Sequence, residues 1–356
     1  MMDANTGFLK YCLDDHKPIP GNVKDIDWRE MLRWAEQQAI VGIIYGGIHR
    51  VGKKLGIPFN VLMEWIGYAS RIEAQSRLLN DRCVKVVKMF EDAGFKCCIL
   101  KGQGNAVMYP QPLLRTPGDI DLYVLGNPIK GVLEFVRDKN PSARAIYHHI
   151  DMGIVDGVEV EVHYRPSFMN NLIYNRRLQR WFKMNPDCTN LTYLPDGVGE
   201  IPVLSWEFNA VFQLCHIYQH VIKEGIGFRQ MIDYYQLLRN AAKLEIRNEK
   251  LEMTLRHLGL WKFAGAVMYV MELFGLEEQC MIAPVDEKRG KVLLNEILKG
   301  GNFGKYDEAN VKANSQLKKN IQRIRRDIRM MRYFPSECLW EPIFRIYHFF
   351  WRRKWN

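Results

Sequence analysis

The chain has 356 residues, 47% of them apolar and 25% charged, the balance of a folded globular protein and not of a disordered one. Its formal net charge is +10, yet residues 312 to 356 alone hold 12 Lys and Arg against 3 Asp and Glu. The body is therefore almost neutral, which disfavours a long electrostatic track for nucleic acid and confines the basicity to the tail.

The first residues lack a basic segment followed by an apolar core and a small-residue cleavage site, so no secretory leader is expected. No apolar run approaches the ~20 residues that span a bilayer. A cytoplasmic protein is expected. Its eight cysteines show no zinc-site spacing and are too sparse for a disulfide scaffold, which leaves reduced thiols used as small apolar side chains.

In chain order, residues 25–50 read as one helix, with Trp28, Leu32, Ala35, Ala39 and Ile43 recurring at threes and fours. Helices follow at 59–70 and 71–93, the second stopped by Gly94. The pattern then shortens. Lys96 to Leu100 and Ile120 to Val124 are brief apolar runs bounded by Gly or Pro, hence strands. A helix opened by Pro128 fits 128–138. Strands fit 143–152 and 158–164, joined by a Val155-Asp156-Gly157 turn. From Ser205, a plausible N-cap, helices are expected at 206–221, 229–242, 246–256, 260–275, 287–299 and 314–333. The expected class is α+β, a small mixed sheet flanked by helices. Three regions follow: an N-terminal helical region over 1–95, a sheet-containing core over 96–204, and a C-terminal helical region with a basic tail over 205–356.

The chemistry concentrates between residues 100 and 163. In a strand, Asp119 and Asp121 share a face with Cα atoms ~6.6 Å apart, while Ile120 and Leu122 face the other way, where a helix can cover them. Two carboxylates on one face repel unless a cation lies between them. Mg²⁺ suits such a site, with Mn²⁺ as the alternative. On the later strand, Glu159, Glu161 and His163 share a face. If the two strands are neighbours, Glu161 meets the aspartates, and three carboxylates can hold two metal ions ~3.5–4 Å apart. A register slip of two would exchange Glu161 for Glu159.

These residues carry a resemblance. Lys101-Gly102 after a strand, Arg115 with Gly118-Asp119-Ile120-Asp121, and Val160-Glu161-Val162-His163 resemble the motifs of the DNA polymerase beta-like nucleotidyltransferase superfamily. Within it they are similar to the bacterial group of uncharacterised nucleotidyltransferases, a likeness that His148-His149 share. The resemblance implies a sheet of nucleotidyltransferase type and transfer of an NMP from an NTP such as ATP to an acceptor hydroxyl, with pyrophosphate leaving. It implies Asp119, Asp121 and Glu161 as catalytic metal ligands, and Lys101, Gly102, Arg115, Gly118 and His163 as nucleotide contacts. Many members have Gly-Ser or Gly-Gly where this chain has Gly102-Gln103, so a serine–phosphate contact is not carried over. Backbone N–H groups near Gly102 and Gly104 are expected to take that role.

The acceptor is open: a small molecule, a protein side chain or an RNA end. Two other readings stand beside the enzyme: a catalytically silent nucleotide-binding module, and an adaptor that meets a membrane or nucleic acid through the basic tail. In the tail, Lys318 to Arg332 forms a basic amphipathic helix, and Pro342 is expected to break the segment after it. In the preceding region, His216 and His220 lie one turn apart, and Arg229 is expected to pair with Asp233.

Overall fold

In the computed structural model, which describes residues 2–126, 128–186, 189–243, 249–307 and 316–356, the apolar stripe beginning at Trp28 belongs to two helices. After α1 (Met2–Leu13) come α2 (Trp28–Gln37) and α3 (Val41–Val51), where one helix was expected. Ala39 reverses the chain at φ 56°, and the Ile40 N–H closes the turn on the Ala35 carbonyl at 2.8 Å. Tertiary bonds support the break. Gln38 Oε1 accepts from the Phe228 N–H at 3.0 Å, and its Nε2 donates to the Ile297 carbonyl at 3.3 Å. Local periodicity carries no trace of such partners.

The opposite error occurs next. The two helices expected over 59–93 are one, α4 (Phe59–Asp92), because Trp65, Ala69, Ser76, Leu79, Cys83, Val86 and Phe90 are buried in one continuous stripe. Gly94, at φ 82°, ends it as expected.

Six strands make one mixed sheet in the order β3-β4-β2-β1-β6-β5. They are β1 (Cys97–Ile99), β2 (Ile120–Val124), β3 (His149–Val155), β4 (Val158–His163), β5 (Thr189–Tyr193) and β6 (Glu200–Leu204). β2 runs parallel to β4, and β1 parallel to β6; the remaining pairs are antiparallel. β3 starts later than expected, since residues 143–148 contribute a single bridge, Ala145 to Ile150. The β3–β4 turn is Asp156-Gly157, with φ 48° and 87°, the paired positive angles of a two-residue hairpin. β5, β6 and the preceding α7 (Leu172–Met184) have no counterpart in the sequence expectations. β5 is an edge strand with Leu191 and Tyr193 exposed, so it lacks the alternation that marks a half-buried strand.

Short α5 (Gln103–Ala106) follows β1, and α6 (Ile129–Lys139) follows β2 with Pro128 at its N-cap. Ile120, Leu122 and Val124 lie in one core with Leu79, Val86 and Phe90 of α4 and Val132 and Val136 of α6. Each such buried aliphatic side chain stabilises the sheet by about 1.5–3 kcal/mol. Tyr123, Cys98 and Leu100 point to a second core. The sheet is thus a wall between two cores, and its alternation decides what faces each.

The second core joins α1–α3 to the C-terminal helices. Those are α8 (Trp206–Lys223), α9 (Phe228–Lys243), α10 (Glu249–His257), α11 (Trp261–Leu273) and α12 (Glu287–Gly300), then α13 (Gln316–Met331) and α14 (Pro335–Trp355). Ser205 sits at the N-cap of α8 without a side-chain capping bond. Pro342 lies inside α14, so it does not break the segment. Packing of Phe344 and Trp351 on Tyr147, with centroids 5.1 and 5.8 Å away, holds the helix through the missing amide. Buried Glu337 fixes its start by accepting from the Asn170 N–H at 2.6 Å and Gln219 Nε2 at 3.2 Å. No helix among the described residues is long and apolar enough to cross a membrane. Seven cysteines are buried and form no disulfide among the described residues; Cys188 lies outside them.

One tail carboxyl gives a stability prediction. Asp327 of α13 is buried, and its Oδ2 has no hydrogen-bond partner among the described residues. Burial, then the charge of Glu341, pushes its carboxyl up to about 7. An unfolded Asp titrates at about 3.9, so the folded state binds this proton more tightly. That contribution is present below the unfolded value and is lost as pH rises through the folded one. Asp327→Asn is expected to raise the melting temperature at pH 8 and leave it nearly unchanged near pH 4. Parallel melting profiles for the two proteins would refute this.

Candidate active site

The parallel register of β2 and β4 sets Asp121 opposite Glu161 and Tyr123 opposite His163. Paired residues on neighbouring strands project to the same side, so both carboxylates leave the face that α4 and α6 cover. Asp119 immediately precedes β2. No two-residue slip occurs: Glu159 pairs with Ile154 near the far end of the hairpin and is exposed.

Asp121 is the most enclosed of the three acids. Lys101 Nζ lies 3.0 Å from its Oδ2, and His163 Nε2 lies 2.9 Å from its Oδ1. Burial would raise this carboxyl, but Lys101 and His163 outweigh it and hold it well below the usual carboxylate range. Asp119 moves the other way. The charge of Asp121, then burial, raises it. Burial would lower the His163 imidazole, but its bonds to Asp121 and Glu161 raise it to about 9. His149 bridges two acids, with Nδ1 3.0 Å from Glu161 Oε2 and Nε2 2.9 Å from Asp151 Oδ1.

The residues fit a divalent cation. Asp121, Glu161 and His163 bring one ligand atom each within 4.8 Å of one another. Buried Asp121 Oδ2 has Lys101 as a charge partner but no well-directed hydrogen bond. An anionic oxygen desolvated in this way needs further compensation.

Other residues singled out in the sequence sit differently from expectation. Arg115 is buried, with Nε and Nη2 each 2.7 Å from the two oxygens of Asp233. Its fork is spent, and Asp233 is paired with Arg115 instead of Arg229. Gly102 turns the chain from β1 into α5 at φ 60° and ψ −115°, a region that side chains rarely adopt. The Gly104 N–H donates to the Lys101 carbonyl at 3.1 Å, so it is used inside the turn. Gln103 reaches Asn80 and the Ser76 carbonyl on α4. It anchors the turn from below. Gly118 lines the site beside Asp119.

Arg229 escaped the sequence reading as a site residue. Its Nη1 donates to the Thr116 and Pro117 carbonyls at 3.3 Å each, beside the aspartates, while its buried Nε has no hydrogen-bond partner among the described residues. Lys223 of α8 also escaped. Burial lowers its amine to about 8, and its Nζ sits 4.0 Å from the Phe168 ring centre. For Lys223 the sequence offers only a cation in the last turn of a helix; Arg229 was read there as the partner of Asp233.

Between the acidic face of the sheet and α8 lies a cleft of about 620 Å³, lined among others by Asp119, Asp121, Glu161, His216, Lys223 and Arg229. That volume suits a nucleotide-sized ligand. His216 and His220, with centroids 4.3 Å apart, belong to this wall, and His220 is held by Glu224 at 2.6 Å.

A mixed sheet with an Asp-x-Asp strand beside a parallel carboxylate strand, facing such a cleft, defines a nucleotidyltransferase-like fold. Residues 24–275 match the family described as uncharacterised nucleotidyltransferase, and the chain belongs to that family. Among solved structures it is similar to an antigenic nucleotidyltransferase-like protein from Paracoccidioides brasiliensis, at 14% identity and TM-score 0.35. That match covers 59% of this chain and 95% of the other. No curated protein matches it.

Proposed function

We propose that this protein transfers a nucleoside monophosphate from an NTP to an acceptor hydroxyl and releases pyrophosphate. The observation that carries the reading is the Asp121–Glu161 pairing across β2 and β4, with Asp119 two residues before Asp121, on the wall of a cleft of about 620 Å³. Asp119, Asp121 and Glu161 would hold Mg²⁺, or Mn²⁺ in its place. Bound there, the ion would neutralise the triphosphate and acidify the acceptor hydroxyl.

The chain's own residues do the remainder. Lys101, 3.0 Å from Asp121, sets the charge of the pocket floor. Arg229 takes the phosphate-binding role that the sequence suggested for Arg115, because its Nε is uncommitted and Arg115 is not. The acceptor oxygen attacks the α-phosphorus, the bond to pyrophosphate breaks, and Glu161 takes the acceptor's proton. Lys223 and His216, across the cleft, border the acceptor.

The test supplies each NTP with Mg²⁺ and a panel of sugars, peptides and RNA ends, and follows pyrophosphate together with the mass gain of an NMP. Arg229→Ala is expected to raise the KM for NTP about tenfold, the effect of one charged hydrogen bond. Nucleotide that binds in calorimetry but yields no pyrophosphate with any acceptor would favour the silent module instead.

A further inference from the structure

Three imidazoles beside the acids have no part in this reaction as a group. His148, His149 and His163 pack ring to ring, with centroids 4.5, 5.1 and 5.4 Å apart. One nitrogen from each lies within 4.8 Å of the others. His149 and His163 are 7% and 3% exposed. In all three rings Nδ1 is buried without a hydrogen-bond partner among the described residues.

We infer that His148, His149 and His163 form a second metal site, adjoining the carboxylate site, that takes a borderline divalent transition ion of the Zn²⁺ class. Imidazole nitrogen favours such ions, whereas carboxylate oxygen favours Mg²⁺. Two of the rings have a carboxylate on one nitrogen. His149 turns Nε2 to Asp151 at 2.9 Å, and His163 turns Nε2 to Asp121 at 2.9 Å. A metal-bound histidine characteristically has a carboxylate on its far nitrogen, fixing the tautomer and leaving the other nitrogen free to bind. With three protein ligands, the fourth position of a four-coordinate ion is left to water. Zn–N bonds of about 2.0–2.1 Å require the three nitrogens to draw in by roughly an ångström, within reach of small side-chain rotations. Through His163 the second ion would be linked to Asp121 of the first site.

The test uses the full chain, stripped of metal by a chelator and titrated with Co²⁺ in excess Mg²⁺ without nucleotide. One equivalent should bind with the intense visible bands of a four-coordinate, nitrogen-rich site, and Zn²⁺ should displace it. His149→Gln should abolish the bands, His148→Gln should do the same, and Asp151→Asn should weaken binding about tenfold. Asp119→Asn should leave them intact while removing nucleotidyl transfer, so the two sites are scored separately. Circular dichroism confirms that each variant folds. A pale octahedral spectrum, or bands that persist in folded His149→Gln, would overturn the assignment.

Discussion

Asp121→Asn is expected to lower kcat for nucleotidyl transfer by on the order of a thousandfold or more, since it removes an anionic ligand of the Mg²⁺ that would neutralise the negative charge developing on the phosphates in a water-poor site. The substitution keeps the shape of a side chain that is 2% exposed and changes only its charge. The cost has two parts. Mg²⁺ affinity falls because one of three anionic ligands is lost, which calorimetry reads directly. In addition, Lys101 at 3.0 Å and His163 at 2.9 Å lose their counter-ion, so the residual pocket repels the metal. His163 then loses one of the bonds that hold its imidazole up at about 9 and should titrate lower, a shift visible by NMR. Glu159→Gln is the control, for Glu159 is exposed and stands two residues from the acid that faces Asp121. Its kcat should stay within about twofold of the parent. Comparable losses for both variants would sink the assignment of Asp121, because a general loss of acidity would then explain each.

The acidic face was legible in the sequence because strand alternation is a local rule. Ile120 to Val124 gives the strand and its two faces directly, and Val158 to Tyr164 does the same for β4. Their adjacency was not a local matter, and the sequence left it as a condition. The cationic wall was harder. Arg115 and Arg229 look alike in a sequence, and only the fold shows that Asp233 occupies one and leaves the other's Nε open. Likewise the break at Ala39 depends on Gln38 meeting Phe228, some 190 positions away. The unity of α4 depends on a stripe that continues past Gly67, which the composition of that turn disguised. The edge strand β5 was invisible because none of its residues is buried, so no apolar face marks it.

Asp233→Ala should destabilise the protein by about 3–5 kcal/mol, the cost of leaving one member of a buried ion pair alone. Arg115 and Asp233 are each 4% exposed, and Tyr109 donates a third bond to Asp233 Oδ1 at 2.5 Å. Guanidinium does not shed its proton in a protein, so Arg115 would remain a buried charge with two donors unanswered. Burial would raise the Asp233 carboxyl, but Arg115 and Tyr109 hold it below its ordinary value. Its contribution is therefore present at neutral pH and is lost as the medium becomes acid enough to protonate the folded state. The pair Arg115→Met with Asp233→Leu should cost less than either single change, because no orphan charge remains. Urea titration of the four proteins gives the coupling directly. Arg115→Lys adds the functional arm: one ammonium cannot match both oxygens of Asp233, so stability should fall while the KM for NTP stays closer to the parent's than that of Arg229→Ala. A loss below about 1 kcal/mol on Asp233→Ala, the range of an exposed pair, would mean that Arg115 finds another anion. The loop that presents the aspartates would then not depend on α9 to hold it in place.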